Sequence, residues 1–262
     1  LENFKKSGFD LITLKFTDHF KKFDKIMFQN LGLPQHSWLT SITVFPIKIA
    51  LKYNCKYIFE GEEGESLYGG SNKNFLKEKV VVSNNIKNYI ENNDVRKFYS
   101  GKILKNYKNL FLTKKEFLEG QKIFKLYWSN FEYWDESKHF DIAIKKCGLK
   151  FPKKKQSNSI NQKSHIDQVL YPLHMYIAYL KFGFSRATTD TGIEIRHKRM
   201  SRKQAVKIVK NKDYIFPKEF LKEYLNYFKI NKKNFFNVLS KHLNKEIFLN
   251  RDFNKLILKK FE

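Results

Sequence analysis

Apolar positions along the chain change their period near residue 85. Before that point, residues 9–16 (FDLITLKF) form a short apolar run after Gly8 and predict a strand. Residues 45–54 predict a helix. Pro46 falls in its first turn, Ile47, Ile49, Ala50 and Leu51 are apolar, and Asn54 suits its C-terminal end. Lys56-Tyr57-Ile58-Phe59 then predicts a short buried strand. Strand, helix, strand is the pattern of a parallel α/β sheet. Beyond residue 85 the pattern is helical. Thr113 and Glu116 make a capping box that predicts a helix to about Tyr127. Residues 171–182 predict a strongly apolar helix, with Leu170, Leu173, Ile177 and Leu180 on a common side. Ser201 and Gln204 make a second capping box, for a helix to about Lys210. Pro217 opens a helix to about Phe228, and Asn231 caps one to about Leu243. The polar, basic stretch 150–163 predicts a mobile surface loop, either a plain excursion or a lid. Residues 1–100 therefore read as an α/β domain and 101–262 as a mostly helical region.

A chain of 262 residues with 42% hydrophobic and 16% aromatic residues can bury a sizeable core, which excludes wholesale disorder. No apolar run approaches the roughly 18–20 residues of a membrane-spanning helix, and the first residues do not read as a signal peptide. Cys55 and Cys147 are too few for a disulfide framework or a four-cysteine zinc site. A reduced, cytoplasmic setting without a membrane partner is expected. Cys55, at a helix–strand junction, reads as a small apolar packer. His174 reads as a core histidine, and Trp128 and Trp134 as core aromatics, with the neighbouring Asp135 a candidate to face a cleft.

The formal charge of +25 taken alone suggests a polyanionic partner. The cations, however, are mostly lysines spread along the chain among abundant Asn, Ile and Phe, the mark of compositional drift. Nucleic acid is therefore not the expected partner. Two segments depart from this background. Four of the six arginines lie between Arg186 and Arg202, where the planar, bidentate guanidinium suits a phosphate or carboxylate. Four of the eleven glycines lie between Gly61 and Gly70, interleaved with Glu60, Glu62, Glu63 and Glu65. That second segment follows a predicted strand, and open α/β sheets bind ligands at the carboxyl ends of strands. Its glycines allow close backbone approach, and its carboxylates could hold Mg²⁺; the alternative is a solvated acidic turn. If 186–196 is helical, Arg186, Asp190 and Glu194 share one face, as a ligand-binding face or as a ladder of surface ion pairs.

The segments K48-I-A-L-K-Y-N54, I58-F-E-G-E-E-G-E-S-L-Y-G-G70, L180-K-F-G-F-S-R-A-T-T-D190, I193-E-I-R196 and M200-S-R-K-Q-A-V206 resemble the N-acetyl sugar amidotransferases of the PP-loop ATP pyrophosphatase superfamily. Phe59, Glu63 and Ser185 stand where that family usually has Trp, Asn and Gly. The resemblance implies an α/β fold. This would be an incomplete PP-loop (adenine nucleotide alpha hydrolase-like) parallel-sheet domain at 1–100, followed by a mostly helical substrate-binding region at 101–262. The S-G-G-x-D-S phosphate loop of the family is absent from the 262 residues, so the chain is expected to be an N-terminally shortened or split form, inactive alone.

The resemblance further implies an ATP-dependent conversion of a sugar N-acetyl group to an acetamidino group in surface-glycan synthesis. ATP and Mg²⁺ would be required. Expected partners are a glutaminase subunit supplying ammonia, an N-acetylated nucleotide sugar and a separate N-terminal PP-loop fragment. Glu60, Glu63 and Glu65 are the catalytic candidates, with Glu63 and Glu65 also candidates for Mg²⁺. Gly61, Gly64, Tyr68, Gly69 and Gly70 are candidates for the nucleotide. Lys181, Arg186, Thr188, Asp190, Glu194 and Arg196 are candidates for the sugar substrate or its phosphates. The alternatives are a tRNA-modifying PP-loop enzyme, which the charge favours, and a non-catalytic degenerate binding subunit.

Overall fold

The computed structural model describes residues 8–61, 80–81, 110–163, 165–166, 168–249, 253 and 256. The fold is mixed α/β and mostly helical, with a small three-stranded sheet. The chain divides into two compact units. The sheet unit holds residues 12–23 and the described part of 36–134, and the helical unit holds 8–11, 24–35 and the described residues from 135 on.

In the sheet unit, β1 (Tyr57–Glu60) runs parallel to β3 (Phe124–Tyr127), with Tyr57 opposite Phe124 and Glu60 opposite Tyr127. The short β2 (Val80–Val81) lies antiparallel on the other side of β3. The expected parallel pairing is present, but its members differ from expectation. Residues 9–16 form no strand, and Phe9, Ile12 and Phe16 are exposed. The partner of β1 comes instead from 124–127, inside the span expected to be helix. Helix α3 (Lys114–Gly120) does start on the Thr113/Glu116 capping box but stops at Gly120. The Phe124 N–H then bonds the Lys56 carbonyl at 2.9 Å, so the edge of β1 captures a segment whose local pattern read as helical.

Helix α2 (His36–Lys52) begins well before Pro46, which lies in its interior. Thr40, Ser41 and Thr43 hydroxyls bond carbonyls four residues back, at 2.9, 2.6 and 3.2 Å, in the turns preceding the proline. The helix ends as expected: Asn54 takes a left-handed φ of 54°, and the Cys55 N–H bonds the Ala50 carbonyl at 2.8 Å. Ile47 and Ala50 of α2 pack with Ile123, and Ile58 and Phe117 pack against them. Contrary to expectation, β1 is only half-buried, with Tyr57 and Phe59 exposed. Cys55 is also exposed, so it is not a core packer; neither it nor Cys147 is in a disulfide.

The helical unit takes in the second half of α1 (Asp18–Leu31), followed by α4 (Glu136–Cys147), α5 (Tyr171–Phe182), α6 (Arg186–Arg196), α7 (Arg202–Lys212), α8 (Leu221–Phe228) and α9 (Lys232–Lys241). α5 is apolar nearly all round, and it lies at the centre of the core with Leu173, Tyr176, Ile177 and Leu180 buried. Around it sit Phe28, Tyr224, Phe228, Phe235 and Leu239. Phe28 stacks on Phe228 with ring centroids 4.6 Å apart. Each such side chain, fully buried, contributes about 1.5–3 kcal/mol. The expected caps are present: Ser201 and Gln204 form the box of α7, and Asn231 accepts from the Asn234 N–H at the start of α9. Among the described residues no helix is long and apolar enough to cross a membrane.

Candidate functional site

Gly183, with φ of 79°, ends α5 and turns the chain into α6. That turn brings Arg186 against Tyr171 at the other end of α5. Arg186 Nε lies 2.6 Å from Asp190 Oδ1, and an Arg186 terminal N–H donates to the Tyr171 hydroxyl at 2.9 Å. The guanidinium also stands over the Tyr171 ring, 5.5 Å from its centroid. Arg186 is 2% exposed and Asp190 0%, so this is an internal ion pair and not the surface ladder that equal spacing also allowed.

The second Asp190 oxygen accepts from the Ser159 hydroxyl at 2.9 Å and the Ile160 N–H at 3.1 Å. Burial pushes the Asp190 carboxyl up, against the pull of Arg186, Ile160 and Ser159. Burial opposes the Arg186 charge, but Asp190 and Tyr171 outweigh it and raise the guanidinium above its ordinary value. Arg186 already carries its proton, so Asp190 is the member of the pair that takes one up on acidification.

The donors from Ser159 and Ile160 correct the reading of 150–163 as a mobile loop. Its second half is pinned. Asn158 is fully buried and donates to the Pro172 carbonyl at 3.1 Å. The Gln162 side-chain amide holds both backbone groups of Gln156, accepting from its N–H at 2.7 Å and donating to its carbonyl at 2.8 Å, and the Gln156 side chain donates to the His165 carbonyl at 3.0 Å. Lys154 bonds Glu223, and the Ser157 N–H bonds Glu219 at 2.7 Å. His165 stacks on Tyr171 at 3.8 Å. Burial pushes His165 down to about 4, helped by Arg186 and His174, and burial does the same to His174, helped by Lys181.

Asp213, at the C-terminal end of α7, accepts from the Ser185 N–H at 2.9 Å, the Thr188 N–H at 3.1 Å and the Thr188 hydroxyl. The N-terminus of α6, where a helix commonly binds anions, is thus already occupied by the protein's own carboxylate. At the other end of α6, Arg199 bridges two acids. It meets Glu194 at 2.6 and 3.2 Å, and Asp135 at 3.1 and 3.0 Å. Asp135 also caps α4 by accepting from the Ser137 N–H at 3.0 Å. Burial opposes the Asp135 charge, but Ser137 and Arg199 hold it below its ordinary value.

Of the six expected substrate residues, five are thus engaged within the protein. Arg186 and Asp190 pair with each other, Thr188 serves Asp213, Glu194 serves Arg199, and Lys181 donates to the Leu31 carbonyl. Arg196 is exposed. Tyr171, Asp213, Ser159 and Arg199 complete the arrangement and were not singled out from sequence as a group. The surplus of arginine around 186–202 was the one signal pointing toward Arg199.

In the sheet unit, Glu60 ends β1 with its carboxylate 2.9 Å from Lys125 Nζ, and Gly61 follows with open space where a Cβ would stand. Glu63, Gly64, Glu65, Tyr68, Gly69 and Gly70 lie outside the described residues. Among the described residues there is no group of three or more His, Cys, Asp or Glu side chains able to hold a metal ion. Glu60, committed to Lys125, does not offer a magnesium ligand as it stands.

A family model described as LPS biosynthesis protein WbpG-like, C-terminal domain, matches residues 150–261. No curated protein matches the chain. The part of the chain that contains the Arg186 cluster is therefore similar to a domain of proteins of lipopolysaccharide biosynthesis.

Proposed function

We propose that the chain acts in surface-glycan biosynthesis as an N-acetyl sugar amidotransferase of the PP-loop type. The observation that carries this reading is the WbpG-like match over 150–261, which contains K181-F-G-F-S-R-A-T-T-D190 and E194-I-R196. In this reaction the acetamido oxygen of the sugar attacks the α-phosphorus of ATP, and pyrophosphate leaves. Ammonia adds to the activated carbon and AMP departs with the oxygen, leaving an acetamidino group. The reaction needs fixed dipoles and charges around a reacting phosphorus more than it needs a covalent protein intermediate.

The chain's own residues contribute structure to this chemistry. The Arg186–Asp190 pair locks α6 to α5 and to the 156–162 segment, and Asp213 fixes the start of α6. These are positioning roles. In this reading Arg196, exposed at the end of α6, would meet a substrate phosphate. Ammonia comes from a glutaminase partner. The phosphate cradle, a strand-to-helix turn of backbone N–H groups, is not encoded as S-G-G-x-D-S in these 262 residues and comes from another segment or chain.

The test combines this chain with the PP-loop-bearing N-terminal fragment of an intact relative, ATP, ammonia and N-acetylated nucleotide sugars. The expected outcome is pyrophosphate release and an amidine product in the mixture, with neither from the chain alone. Turnover by the chain alone would refute the external cradle. A mixture that binds ATP and sugar but never forms an amidine would refute the reaction.

A further inference from the structure

Large aromatic side chains normally withdraw from water, so a cluster that stays exposed calls for an explanation. Phe59 is 59% exposed, Trp128 45% and Phe131 61%. The three rings adjoin. Phe131 lies 6.0 Å from Phe59 and 6.3 Å from Trp128, with interplanar angles of 40° and 45°. They form a shallow, angled surface and not a packed core. Its position carries meaning: Phe59 is the penultimate residue of β1, and Trp128 directly follows the last residue of β3. β1 and β3 are parallel, so the aromatics gather at the carboxyl ends of both strands, where α/β sheets receive ligands.

We propose that Trp128, Phe131 and Phe59 form a platform for the C–H face of a neutral sugar ring, with Glu132 accepting from its hydroxyl or amide groups. The indole N–H of Trp128 donates to Glu132 at 3.1 Å. That bond holds the indole in one orientation and sets a carboxylate beside the ring, within reach of a hydroxyl lying on it. The local charge selects a neutral ligand over a nucleotide phosphate. Among the described residues, the charge bonded to a platform ring is the Glu132 carboxylate; Glu60 alternates with Phe59 along β1 and pairs with Lys125 on the other face of the sheet. A phosphate would meet net repulsion there; a polyol meets an acceptor and an apolar face. Ring C–H groups on an aromatic face gain dispersion and shed water, while the hydroxyl edge remains solvated. Naming the sugar as N-acetylated rests on the proposed glycan function; the platform rests on its own geometry.

The test is saturation-transfer NMR on the full chain with the methyl glycoside of N-acetylglucosamine as probe and AMP as comparison. Transfer to the ring C–H and acetyl protons of the glycoside is expected. Phe131→Ala and Trp128→Ala should each weaken its binding roughly 2- to 12-fold, the worth of one aromatic contact. Both side chains are exposed, so the urea midpoint of each variant should equal that of the wild type. Undiminished transfer in both variants would overturn the proposal. So would transfer to AMP adenine protons without transfer to the sugar, which would make the platform a base-stacking site, or no transfer to either probe. Failure here with normal amidine formation in the reconstituted mixture would remove the platform and leave the amidotransferase reading. Sugar transfer without amidine formation would do the reverse.

Discussion

Arg186 illustrates what a residue type alone does not disclose. Its retention in a lysine-rich chain signals a demand for a planar, multi-donor cation, and the structure shows that demand arising inside the fold. One guanidinium satisfies Asp190 and Tyr171 together while lying over an aromatic face, which a lysine ammonium lacks the geometry to do. Arg186→Met would leave Asp190 buried without its counter-charge. The expected cost is about 3–5 kcal/mol, read as a lower urea midpoint. Arg186→Met with Asp190→Leu should recover part of that loss, because the pair is removed together. A single variant as stable as wild type would show that the pair is not held in the folded interior.

At the scale of elements, α6 is organised from outside itself. Its N-cap residue, Ser185, makes no side-chain capping bond, and Asp213 supplies the acceptor from the end of α7. Asp213→Ala should therefore destabilise the protein by about 0.5–2 kcal/mol, the range of a lost helix cap, and amide exchange at Ser185 and Thr188 should accelerate first. Unchanged exchange at those two amides would remove Asp213 from this role. The same external control decided β3. Residues 124–127 followed a capping box and read as helix, but pairing with β1 won because ladder hydrogen bonds outweigh the few tenths of a kcal/mol per residue that separate local propensities.

For the whole molecule, acid is the informative stress. His165 and His174 titrate at about 4 when folded, because burial disfavours their charged forms, against an ordinary 6.5. Between those values the unfolded chain binds more protons than the folded one. Their stabilising contribution is complete above pH 6.5 and is lost as pH falls toward 4. Protonation also adds to a formal charge of +25, so self-repulsion acts in the same direction. Urea midpoints should fall from pH 7 to pH 4.5, and His165→Asn with His174→Gln should flatten that slope. An equal slope in the double variant would assign acid sensitivity to carboxylates instead.

The sequence by itself determined whatever depends on neighbours a few residues away. The capping boxes at Thr113 and Ser201, the Asn231 cap, the left-handed close at Asn54 and the apolar helix 171–182 all follow from contacts within one or two turns, and the structure has each of them. The recurrence of Arg186 and Asp190 on one helical face was legible for the same reason. Tertiary structure alone decided which face of α6 is internal, that Ser159 and Ile160 close on Asp190 from 31 and 30 residues away, and that Asp213 caps a helix that begins 27 residues earlier. It also decided that Phe59, Trp128 and Phe131 meet in the open and not in a core. Burial and long-range hydrogen bonding are properties of packing between elements. A hydrophobic pattern states that a residue prefers to be covered, and only the assembled fold states whether anything is there to cover it.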